Sequence, residues 1–71
     1  MVKVTAVSKR VGKTIRQIRE KKKITQEEIA LSASLNRAYI GYIERGERNP
    51  STETLMRIAK ALKVPLDELF K

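Results

Sequence analysis

Sixteen lysines and arginines, with no histidine and no cysteine, are what this sequence has for chemistry. Without thiolate or imidazole it lacks the commonest soft metal ligands and the side chain best suited to proton transfer near neutral pH. No paired carboxylates, nucleophile beside a base, or phosphate-cradling glycine loop stands out, so no enzyme, metal centre or cofactor is expected. What remains is the chemistry of cations and hydrogen-bond donors toward anions. The formal net charge is +8 and the isoelectric point is near 10.2, which points to a polyanionic partner. The charge is uneven: residues 1–23 hold nine Lys or Arg against Glu20 alone, whereas residues 24–71 hold seven of each sign. The run Lys21-Lys22-Lys23, with Lys9, Arg10 and Lys13, reads as a solvated face whose salt-sensitive field strengthens non-specific attraction without specific contacts.

Those side chains need elements to position them. At 71 residues the chain has room for one domain and one core, so a second, sensing domain is not expected. A core this small gains from burying a further apolar face against a second copy, so a homodimer is expected. The opening residues lack the apolar stretch of a secretory signal, and no run of about 18 apolar residues could span a bilayer. The expectation is a cytoplasmic protein with no membrane partner.

Val11, Ile15 and Ile18 recur at helical spacing and predict a first helix from near Ser8 to about Lys22. Thr25 and Glu28 have the capping-box spacing for a short second helix, roughly Gln26 to Ala33. Asn36 suits the N-cap of a third, in which Tyr39, Ile40 and Ile43 are the apolar positions, and Gly46 can close it in a left-handed conformation. Ser51 caps a fourth helix bearing Leu55, Ile58, Ala59 and Leu62; Pro65 opens a fifth bearing Leu66, Leu69 and Phe70. Residues 1–7 are expected to form a flexible arm, and no strand pattern longer than Val2-Lys3-Val4 occurs.

The second and third helices, joined by a very short turn, must cross steeply. Such a pair can lay its first helix across a DNA backbone while the N-terminal part of its second enters the major groove. The stretch from Val11 to Phe70, with Thr25-Gln26-Glu27, Ile29-Ala30, Ile43-Glu44-Arg45-Gly46 and Pro50-Ser51, closely resembles the helix-turn-helix domains of the lambda repressor and Cro family. Within that family, Leu35-Asn36-Arg37-Ala38-Tyr39-Ile40 looks most like the controller proteins of restriction-modification systems; small phage repressors look similar. The resemblance implies an all-α, compact five-helix DNA-binding domain over residues 1–71, with the helix-turn-helix at 25–45 and a dimerisation helix at 65–70.

It also assigns roles. Arg37, Ala38, Tyr39 and Tyr42 match base-contact positions. A guanidinium at the start of a recognition helix can pair bidentately with guanine O6 and N7, though a phosphate contact is open to Arg37 and packing to Tyr39. Gln26, Asn36, Arg45, Arg48 and Asn49 are the expected phosphate contacts. Gly41 removes one readout side chain, at a helix-propensity cost of ~1 kcal/mol relative to alanine. Arg19 and Glu44 are the family's structural ion pair, and Leu66, Leu69 and Phe70 the expected dimer interface. The expected function is that of a transcriptional regulator, dimeric on a pseudo-palindromic operator in double-stranded DNA, with no small-molecule ligand. An antitoxin-like protein-interaction module is the alternative.

Overall fold

The computed structural model describes residues 5–71, so the first four positions of the expected arm lie outside the described residues. Its other three are not an arm. Helix α1 runs Ala6–Lys21, opening upstream of Ser8 because Thr5 Oγ1 accepts the Ser8 backbone N–H at 3.2 Å and supplies the cap. The chain then turns through Lys23, at φ 58°, into α2, Gln26–Ala33. Both arms of the capping box form: Glu28 N–H donates to Thr25 Oγ1 at 3.1 Å, and Thr25 N–H to Glu28 Oε1 at 2.8 Å. The bond from the Thr25 backbone, aided by the Thr25 side chain, holds the Glu28 carboxyl below its usual range.

Ser34 ends α2 in the left-handed region, with φ 57°. Asn36 restarts the chain as α3, Arg37–Glu44, by accepting the Ala38 N–H at 2.8 Å. Gly46 follows α3 with φ 74°, the conformation expected of it. Helix α4 spans Thr52–Leu62, capped by Ser51, whose Oγ accepts from Thr54 N–H at 3.2 Å.

Among the described residues the fold is all-α, but with four α-helices rather than the expected five. Leu66–Phe70 is a 3₁₀ helix. Pro65 has no N–H to donate, and the segment closes through bonds three residues back, Glu68 N–H to Pro65 O and Lys71 N–H to Glu68 O. At three residues per turn Leu66 and Leu69 eclipse one another and both turn inward. Leu69 is completely buried within its own chain and Leu66 packs against the core, while Phe70 remains 46% exposed. This corrects the expected dimer interface: Leu69 is already committed to the core and has no surface left for a partner.

Every element contributes a fully buried apolar side chain: Ile15 from α1, Ile29 from α2, Ile40 and Ile43 from α3, Ile58 and Leu62 from α4, and Leu69. Among the described residues no helix is long and apolar enough to cross a membrane. Helix α1 crosses the C-terminal half of α3 closely enough that a Cβ added at Gly12 would overlap the Ile43 carbonyl oxygen. Just beyond, a Cβ at Gly46 would lie 2.8 Å from Lys9 Cα.

Gly12→Ala therefore tests the crossing. In an open helix the change gains about 1 kcal/mol of propensity. Here it should lose about 2–3 kcal/mol by overpacking against backbone that cannot step aside, measured by urea denaturation. A neutral or stabilising result would contradict the close crossing.

Candidate nucleic-acid interface

The geometry begins at one carboxylate. Glu44, the last residue of α3, has a side chain only 3% exposed, and it accepts three hydrogen bonds. Arg19 on α1 donates from Nε at 2.6 Å and from Nη2 at 3.1 Å, and Gln26, the first residue of α2, donates from Nε2 at 3.0 Å. Arg19 Nη1 also reaches the Ile24 carbonyl in the turn between α1 and α2, at 3.1 Å. Hydrogen bonding to Glu44 raises the Arg19 pKa above its ordinary value, with burial opposing. Helices α1, α2 and α3 thus meet at Glu44.

With that end anchored, α3 divides cleanly. Ile40, Gly41, Ile43 and Glu44 are buried, while Arg37, Ala38 and Tyr42 face solvent. Tyr39 is half-buried and packs against the core. Arg37 is exposed, with Nε 3.4 Å from Glu27 Oε1 on α2. The guanidinium carbons of Arg45 and Arg48 each lie 5.1 Å from the Tyr42 ring centroid, within cation–π range. Gly41 leaves space for this: a Cβ there would sit 3.2 Å from Arg45 Nη1, so the arginine folds back across the glycine.

The expected phosphate-contact residues surround this face. One groove is lined by Arg16, Lys23, Gln26, Glu27, Arg37 and Arg45, among others, which brings Gln26, Arg37 and Arg45 together. A second, smaller one is lined by Tyr39, Glu47, Arg48 and Asn49. Asn36 is exposed, its oxygen spent on the helix cap, and Arg45 Nε lies 3.0 Å from Glu47 Oε1. Asn49 Oδ1 accepts from the buried Ser8 hydroxyl at 3.0 Å, which ties the loop after α3 to α1. Since those contacts use the oxygens of Asn36 and Asn49, both amide nitrogens are still available as donors. Gln26 spends one of its two N–H groups on Glu44 and keeps the other.

The basic first third is split by the fold. Arg16 and Lys23 border the groove beside α3, whereas Lys21 and Lys22 lie with Ile18, Val64 and Glu68 near the chain's end, and Arg10 Nη2 reaches the Lys71 carbonyl at 3.5 Å. Sequence reasoning missed three features: the bond from Gln26 to Glu44, the Glu27 partner of Arg37, and Gly12. Only the last left a signal, a small residue beside Val11 and three before Ile15 on the buried face of α1.

A sequence profile described as helix-turn-helix matches residues 15–69. The immunity repressor protein of Bacillus phage phi105 is 41% identical over 59 residues, covering 83% of this chain and 41% of that protein, so this chain spans less than half of that relative. The crystal structure of the restriction-modification controller protein C.AhdI from Aeromonas hydrophila is similar with a TM-score of 0.89 at 36% identity, covering 93% of this chain and 100% of that one. C.Esp1396I bound to a 25 base pair operator site gives a TM-score of 0.85 at 36% identity, covering 93% of this chain and 87% of that chain. The resemblance read from the sequence agrees with these likenesses.

Breaking the Glu44 cluster has a defined cost. Arg19→Met should destabilise the fold by about 3–5 kcal/mol, because it leaves a buried carboxylate poorly compensated, and adding Glu44→Leu should recover much of the loss. Urea denaturation of the single and double variants measures both. A loss below about 1 kcal/mol for Arg19→Met, the value of a surface pair, would contradict the burial of this contact.

Proposed function

We propose, since this chain belongs to the helix-turn-helix family, that it is a sequence-specific DNA-binding transcriptional regulator that acts as a symmetric dimer on a pseudo-palindromic operator. One observation carries the reading. Helix α3 is anchored by its buried C-terminal side while Arg37, Ala38 and Tyr42 stand exposed, flanked by donors from α2 and from the loop after α3. In this reading α3 enters the major groove, Arg37 pairs with a guanine, and Ala38, Tyr39 and Tyr42 contact neighbouring base edges. Gln26, Asn36, Arg45, Arg48 and Asn49 clamp the phosphates on either side and set the register.

The dimer in this reading rests on Phe70, with the exposed part of Leu66. An apolar ring left 46% exposed at the end of a small domain gains from a second copy. Occupying an operator over a promoter blocks polymerase; occupying one just upstream recruits it. The likeness to a restriction-modification controller and to a phage repressor supports a small regulator of this kind, acting on DNA in the cytoplasm without catalytic chemistry of its own.

Selection from random duplex DNA tests the reading, followed by anisotropy titration of the enriched sequence at several salt concentrations. A pseudo-palindrome with half-sites about 34 Å apart is expected. Arg37→Ala should weaken binding to it by about 1–3 kcal/mol and relax preference at one base pair per half-site. Unselective binding that vanishes with modest salt would overturn the reading and favour the protein-interaction alternative.

A further inference from the structure

An ion pair between Arg37 and Glu27 joins α3 to α2 on the exposed face. Arg37 is the first residue of α3, where the helix dipole disfavours a cation, and its ion-pair partner is Glu27. Glu27 is in the first turn of α2, where the dipole favours a carboxylate. The cross-helix distance is not left to two flexible side chains alone, because Gln26, next to Glu27, is bonded to Glu44 at the far end of α3. The closest approach is at Nε, 3.4 Å away, an ion pair rather than a hydrogen bond. A guanidinium held by Nε still has its Nη donors to offer a base.

The surroundings give that contact a purpose. Arg16, Lys23 and Arg45 line the same groove as Glu27 and Arg37. Arg16 is paired with Glu20 at 3.2 Å and Arg45 with Glu47 at 3.0 Å, but both pairs are exposed, and such cations still suit a phosphate backbone of any sequence. An arginine free to swing there would spend much of its time on phosphates. Glu27 repels a phosphate and attracts the guanidinium.

We propose that Glu27 is a positioning and specificity-determining residue, which holds Arg37 by Nε so that its remaining donors meet a base while its own charge weakens binding to unrelated DNA. The proposal rests on the regulator reading above. Both side chains are more than 60% exposed, so neither substitution threatens the core.

The test compares wild type, Glu27→Gln, Arg37→Ala and the double variant. Each is titrated against the selected operator, the same duplex altered at the base pair whose preference Arg37→Ala relaxes, and a random duplex. Circular dichroism melting confirms that all four fold. Glu27→Gln should tighten binding to the random duplex and cut the operator-to-altered ratio about threefold to fivefold, the scale of an exposed ion pair. In the Arg37→Ala background it should leave that ratio unchanged. Equal tightening on all three duplexes, an unchanged ratio in the single variant, or a fall in the ratio without Arg37 would overturn the proposal. A wild type that enriches no sequence defeats the regulator reading itself, and the proposal with it.

Discussion

A carboxylate with a side chain 3% exposed is the constraint on which the rest of this structure depends. Removing Glu44 from water costs several kcal/mol, and three hydrogen bonds, two from Arg19 and one from Gln26, offset it. Apolar contacts at Ile40 and Ile43 would tolerate a small slide or rotation of α3. Bonds at 2.6 to 3.1 Å from two other helices are directional and do not. The cluster therefore fixes how α3 sits against α1 and α2, which is the relation a helix-turn-helix must hold constant to place one helix in a groove while another crosses the backbone.

The other distinctive positions act on the same joint. Gly12 lets α1 approach the carbonyl side of α3, and Gly46 lets the chain leave α3 beside Lys9. Ser8 holds Asn49 and with it the loop after α3. Gly41 gives Arg45 the space to lie beside Tyr42. Residues that look like losses of side-chain chemistry are where backbone or a guanidinium must come close. The result is a closely packed buried side and an outer side rich in donors.

Local signals made most of the fold legible. Thr25 with Glu28, Asn36 before Arg37, and Ser51 before α4 are cap patterns whose bonds lie within three residues, so the sequence carries them whole. The first helix begins upstream of the expected start near Ser8, because the apolar periodicity marks only its buried face and Thr5, not Ser8, supplies the cap. The last element was misread because Leu66, Leu69 and Phe70 fit an α-helical stripe as well as a 3₁₀ one, and only the observed three-residue spacing sends both leucines into the core. At the candidate site, residue types and family positions named the donors. The second duty of Gln26 and the pairing of Arg37 with Glu27 depend on the angle between two helices, which no local pattern encodes.

Backbone amide shifts in a ¹H–¹⁵N spectrum, followed while the selected operator duplex is added, test the central claim that the face built on Glu44 is the one that meets DNA. The account predicts large perturbations at Gln26, Glu27, Asn36 through Tyr39, Tyr42, and Arg45 through Asn49. It predicts silence around the groove lined by Arg57, Lys60 and Lys63, which is also basic but lies between α2 and the end of α4. Perturbations centred on that second basic surface, with α3 unaffected, would contradict it.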